Sequence, residues 1–125
     1  MKNLLYLALV LGFCTVPYAE EKKTSVLRHV VMVKFKKSTS EEKIAALVEQ
    51  FCALPRKIDV ILDFEYGVEV NEGERVDGCT HCFLVTFAGV SGLEKYLPHP
   101  AHQDFVAVFR PEIEVLKVFD YMSKE

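Results

Sequence analysis

Four histidines and one tyrosine are the side chains of this 125-residue chain whose type and spacing point to chemistry: His29, His81, His99, His102 and Tyr96. An imidazole takes or gives a proton near neutral pH, and a phenol donates a hydrogen bond to a developing oxyanion. Three of the five fall in one stretch, Tyr96-Leu97-Pro98-His99-Pro100-Ala101-His102. With Pro100 as the first helical residue, His99 precedes the helix and His102 lies about one turn on. The two imidazoles are then expected to point the same way, with Tyr96 close behind. His29 and His81 sit among apolar residues on predicted strands. A tyrosine and several histidines around an apolar pocket suit proton abstraction beside a carbonyl. The blander reading is that each strand histidine is a buried imidazole satisfied by a neighbouring hydroxyl or carbonyl, and that His-Pro-x-His only locks a helix entry. Spacing alone leaves both readings open.

Two other chemistries compete for these residues. His99 and His102, three apart, offer two metal ligands, with His29 or His81 as a third. No carboxylate stands at a diagnostic spacing beside them, so no metal is expected. Cys79-Thr80-His81-Cys82 contains a C-x-x-C. On a strand its two thiols face opposite ways, and a redox or zinc role is not expected. The remaining reading calls for no cofactor.

The elements that must position these side chains follow from periodicity. Val26–Lys36 is β-branched and bounded by polar clusters, a strand with His29, Val31, Val33 and Phe35 on one face and Arg28, Val30, Met32 and Lys34 on the other. Thr39-Ser40-Glu41-Glu42 fits a capping box with Thr39 as the cap. The helix it opens carries an apolar stripe of Ile44, Leu47, Val48, Phe51 and Leu54 and stops at Pro55. Alternation over Ile58–Val70 predicts a long strand with a bulge at Gly67, and Asn71–Gly78 predicts a polar loop. Cys79–Ala88 is a third strand, with His81, Phe83, Val85 and Phe87 on one face. A short helix over Ser91–Leu97, a second from Pro100 to about Arg110, and a last strand over Ile113–Tyr121 complete the chain.

The order β-α-β-β-α-β predicts an α+β, ferredoxin-like protomer whose antiparallel sheet carries helices on one face. The other face keeps apolar residues such as Val30, Met32, Leu84, Leu116 and Val118, or those of opposite parity. A domain this small does not leave such a patch in water. A second sheet from a twofold-related copy is expected to cover it, so the chain is expected to be a homodimer.

Composition bounds the partners. Half the residues are apolar and 26% charged, as in a globular domain. With 15 Lys and Arg against 18 Asp and Glu there is no cationic excess to track phosphates, and nucleic acid is not an expected partner. Residues 1–19 read as a secretory signal: Lys2 precedes the apolar run Leu4–Phe13, which at ten residues falls short of the roughly 20 that span a bilayer. Cleavage after Ala19 leaves 20–25 as a linker and 26–125 as the domain, with no membrane span. It also removes Cys14 and moves the net charge from −3 to −4 with the loss of Lys2. A secreted or periplasmic location follows.

The residues resemble the stress-responsive A/B barrel (Dabb) domain family from Leu27 to Tyr121. Arg28-His29-Val30, Phe64-Glu65-Tyr66-Gly67, Thr80-His81-Cys82-Phe83, Thr86-Phe87 and Val118-Phe119-Asp120-Tyr121 contribute to the likeness. Its strongest part is Tyr96 through Phe105, YLPHPAHQDF. The resemblance implies a dimer whose two sheets form a barrel. It does not imply one activity, because most members have no assigned reaction and others are stress-response proteins. One plant branch is a polyketide cyclase that closes a ring by aldol condensation, using a Tyr and the second His of the Tyr…His-Pro-x-His motif. Those positions are Tyr96 and His102 here, the catalytic candidates, while His29, His81 and His99 match further histidines and are the ligand-binding candidates. The same architecture hosts haem-degrading enzymes, one group of which uses a Trp that this chain lacks. Two functions are therefore expected to compete: a His/Tyr-lined pocket for a small apolar molecule with acid–base chemistry, and a non-catalytic stress-response module in which the histidines serve the fold.

Overall fold

The structure, a computed structural model, describes residues 12–17 and 25–124. The signal expected over 1–19 lies mostly outside them. Nine residues of alternating burial form strand β1, Leu27–Phe35. Helix α1 follows over Glu41–Cys52, then a 3-10 turn at Leu54–Arg56. Strands β2 (Asp63–Val68) and β3 (His81–Phe87) come next. Helices α2 (Val90–Tyr96) and α3 (Pro100–Phe109) lead through a second 3-10 turn, Arg110–Glu112, into β4 (Ile113–Met122). The sheet order is β2-β3-β1-β4, antiparallel throughout, the ferredoxin-like arrangement.

Register places residues on faces. Leu27, His29, Val31, Val33 and Phe35 of β1 lie beside Phe83, Val85 and Phe87 of β3 under the helices, and all are buried. Leu47, Val48 and Phe51 of α1 and Phe105 and Phe109 of α3 close over them. Phe51 stacks on Phe83 at 4.3 Å between ring centres and meets Phe105 at 4.7 Å. Each such ring contributes about 1.5–3 kcal/mol by leaving water, so this aromatic cluster is the main anchor of helix to sheet.

Three local expectations are corrected. The cap of α1 is Ser40, whose hydroxyl accepts from the Lys43 N–H at 3.1 Å. Thr39 instead donates to the Glu112 carboxylate at 2.7 Å, tying the entry of α1 to the turn before β4. The second strand is six residues, not thirteen: of the alternating Ile58, Val60 and Leu62, Ile58 is buried and Leu62 is exposed, while Ile61 of the other parity is buried, so the stretch before the strand is a turn and not a pleat. Gly67 pairs with Cys82 in unbroken register and makes no bulge. The irregularity lies between Lys34 and Phe35, where Phe35 pairs with Ile113 and Lys34 with Val115.

That extra residue sets the faces of β4. His29 pairs with Asp120, Val31 with Val118 and Val33 with Leu116, so Leu116 and Val118 stand on the helix side. The uncovered side carries Phe119 and Tyr121 together with Val30, Met32 and Leu84. Phe119 is 66% exposed there. Among the described residues no helix is long and apolar enough to cross a membrane.

Candidate functional site

Tyr96 reaches the sheet because of what lies one turn before it. Gly92 rests on Phe87 so closely that a Cβ would stand 3.0 Å from that side chain. Helix α2 therefore lies low on β3, and its last residue enters the core at 1% exposure. The Tyr96 ring meets Phe87 at 5.0 Å and His29 at 5.8 Å. Burial pushes its phenol well above the ordinary tyrosine range, so it is a neutral donor. The hydroxyl has no partner among the described residues, and none of their enclosed polar atoms lacks one. It therefore opens onto accessible space.

Pro98 ends α2 and Pro100 starts α3, and the two helices are joined through Leu97. His102 Nδ1 lies 2.9 Å from the Leu97 carbonyl, which also accepts from Gln103 Nε2 at 2.7 Å. A carbonyl only accepts, so Nδ1 carries the hydrogen and Nε2 keeps a lone pair. The ring stands 4.2 Å from that of Tyr96. Burial, with smaller contributions from His29 and His99, holds the His102 imidazole below the usual histidine range despite the Leu97 bond. At neutral pH it is an uncharged base.

His29 is 6% exposed and is held from the next strand, its Nδ1 2.5 Å from Asp120 Oδ1. The carboxylate accepts the hydrogen on Nδ1 and so orients the ring, with Nε2 turned away from it. In the sequence Asp120 has a place in the motif Val118-Phe119-Asp120-Tyr121 but no role; the signal was an acid inside an apolar run.

These three side chains share one cavity of about 180 Å³ between α3 and the sheet. Its wall from α3 is His102, Phe105, Val106, Phe109 and Arg110, which is one face of a helix, and its wall from β4 is Leu116 and Val118. Arg110 also went unremarked in the sequence, where nothing separates it from an ordinary end of helix.

The other two histidines lie elsewhere. His99 does not point with His102: its Nδ1 accepts from the Ala101 N–H at 3.0 Å, capping α3, and its ring borders a separate groove with Gln50, Leu54 and Lys57. His81 pairs with Val33, four residues along β1 from His29 or about 13 Å away. It stands edge-on to Phe35 at 5.2 Å and bonds the Thr80 hydroxyl at 2.8 Å. Burial lowers its pKa as well. Among the described residues no group of three or more His, Cys, Asp or Glu is arranged to hold a metal ion, and the cysteines are free thiols.

Residues 27–123 match the family described as Stress Responsive A/B Barrel Domain. The chain is 33% identical over 102 residues to the stress-response A/B barrel domain-containing protein HS1 of Arabidopsis thaliana, covering 82% of this chain and 93% of that protein. It is 30% identical over 99 residues to olivetolic acid cyclase of Cannabis sativa, covering 79% and 98%. Among solved structures it resembles the hydroxynitrile lyase of Passiflora edulis in fold, with a TM-score of 0.77 at 23% identity over 82% of this chain and 96% of that one. A protein of Bacteroides fragilis described as dimeric and ferredoxin-like superposes with a TM-score of 0.64 at 24% identity, over 78% and 96%.

Proposed function

The chain belongs to the stress-responsive A/B barrel (Dabb) family, and from that premise we propose that it binds a small apolar carbonyl compound and moves a proton on it. His102 Nε2 is the base for a hydrogen beside the carbonyl, and the Tyr96 hydroxyl donates to the oxygen as charge develops there. His29, oriented by Asp120, is a second polar contact for the ligand. The observation that carries this reading is the shared cavity: a lone-pair nitrogen and a neutral phenol side by side in an apolar wall. That a relative of the same family bears the name of a cyclase supports catalysis on this fold.

The test is hydrogen–deuterium exchange at the α-carbons of 2-hexanone in D₂O, followed by NMR. Exchange above the buffer rate is expected, falling about 10²-fold in His102→Ala and strongly in Tyr96→Phe. Exchange at the buffer rate, or unchanged in His102→Ala, would overturn the reading. The competing function, a non-catalytic module, is favoured by His81 and His99, each of which uses Nδ1 for a bond within its own fold. It predicts no exchange and a loss of stability alone in His102→Ala.

The assembly belongs to the same proposal. The uncovered sheet face presents Phe119, Tyr121, Val30, Met32 and Leu84, and neighbours of the same fold are described as dimeric. A second copy packs face to face there, and light scattering that returns a monomer at micromolar concentration would refute it. Export rests on Lys2 and the Leu4–Phe13 run, and the intact mass of the protein from its source reads it directly.

A further inference from the structure

We propose that Arg110 selects the ligand, and that the cavity takes a molecule with an anionic head, a short apolar carboxylate, rather than a neutral one. The inference rests on the proposed role of the cavity and adds the chemical class of its occupant. Arg110 is the one side chain of permanent charge in the cavity wall, which holds no acid. It caps the C-terminal end of α3, whereas His102 lies in the first turn of the same helix. Eight residues at 1.5 Å each put them about 12 Å apart. The wall between them on α3 is Phe105, Val106 and Phe109, so the cavity is polar at both ends and apolar in the middle.

Arg110 is also left unpaired. The acids that follow it in the chain are engaged by others: Glu112 accepts from Thr39, and Glu114 pairs with Lys34 at 3.6 Å. No ion pair or side-chain hydrogen bond reaches Arg110 among the described residues. An arginine at the rim of an apolar cavity, without an acid of its own, is placed to take a carboxylate in the two-pronged geometry that guanidinium favours. The ligand then lies along α3, head at Arg110 and carbonyl at His102.

Hexanoate and its neutral analogue hexanamide test this, titrated into the full-length protein at pH 7.5 and low salt with NMR shifts of the cavity residues as readout. The wild type is expected to bind hexanoate at least tenfold more tightly, with the preference shrinking as salt is added. Arg110→Gln is expected to bring the two within twofold of each other while leaving hexanamide unchanged, and Arg110→Lys to keep part of the preference. Equal binding in the wild type, or a preference that survives Arg110→Gln, overturns the inference and leaves the cavity reading standing. Failure of both probes overturns the inference as well. If ketone exchange is also absent, the cavity reading falls with it.

Discussion

The space between sheet and helices is filled in two different ways. Around Phe83 it is solid: Phe51, Phe64, Phe105 and Phe109 surround that ring, all within 6.3 Å of Phe51 or Phe83 by ring centre. Next to it, between α3 and β4, the same layer is left open, and Phe51, Phe105 and Phe109 share its wall with Tyr96, His102 and His29. Each region borders a strand histidine from the same side of the sheet, and the contrast lies in what each ring is given to do. His81 is turned edge-on to Phe35 and bonds its neighbour Thr80, so its nitrogen serves local structure. His29 is fixed by a carboxylate on one nitrogen, and its ring lines empty space. Residue type and strand parity are the same; the partner on the adjacent strand makes the difference.

The largest effect that sharpens this contrast is a pair of truncations. Phe83→Ala removes the centre of the solid region and is expected to cost about 3–5 kcal/mol in denaturant unfolding. His102→Ala, at the open region, is expected to cost about 1 kcal/mol, the order of one hydrogen bond, while abolishing exchange of the ketone probe. Equal costs would mean that the two regions are packed alike. Next comes Asp120→Ala, which strands a buried imidazole and is expected to destabilise by about 1–3 kcal/mol. Asp120→Asn keeps an acceptor for Nδ1–H and should restore most of that loss; if it does not, the carboxylate's charge rather than its geometry holds His29.

The smallest effect is a slope against pH. His81 and His102 both have lowered pKa values, chiefly because burial disfavours the charged ring. The unfolded chain, with ordinary histidines near 6.5, then binds protons that the folded chain refuses. Stability from these groups is complete above that value and is lost as pH falls below it. In Gln substitutions the acid-side slope should flatten for each position separately, and a slope that His81→Gln leaves untouched would break the parallel between the two histidines.

Much of the fold was legible. The apolar stripe of α1, the paired prolines around His99 and the β-branched run of β1 each name an element by local chemistry, and the structure contains all three. Misreadings arose where tertiary contacts overrule local pattern. Thr39 fits a cap until Glu112 draws it away, and Ile58, Val60 and Leu62 alternate like a strand while lying in a turn segment that buries Ile58 and Ile61. At the site, sequence brought Tyr96 and His102 together because they are six residues apart on joined helices. It grouped His81 and His99 with them because spacing does not say which hollow of the surface a ring borders: His81 and His99 border others than the one that Tyr96 and His102 share. The roles of Asp120 and Arg110 were invisible for the opposite reason: each matters only through a neighbour distant in the chain.

The extra residue at the start of β4 gives the protein an uneven tolerance for changes in length. Phe35 meets Ile113 and Lys34 meets Val115, so Glu114 is the surplus member. Its removal would restore regular pairing and leave every later residue where it stands. One residue added beyond Val118 would instead turn Asp120 away from the helix side of the sheet and Phe119 or Tyr121 toward it, separating His29 from its carboxylate. A lineage can therefore gain or lose a residue at the head of this strand without touching the site. Past its middle, the count itself is inherited information.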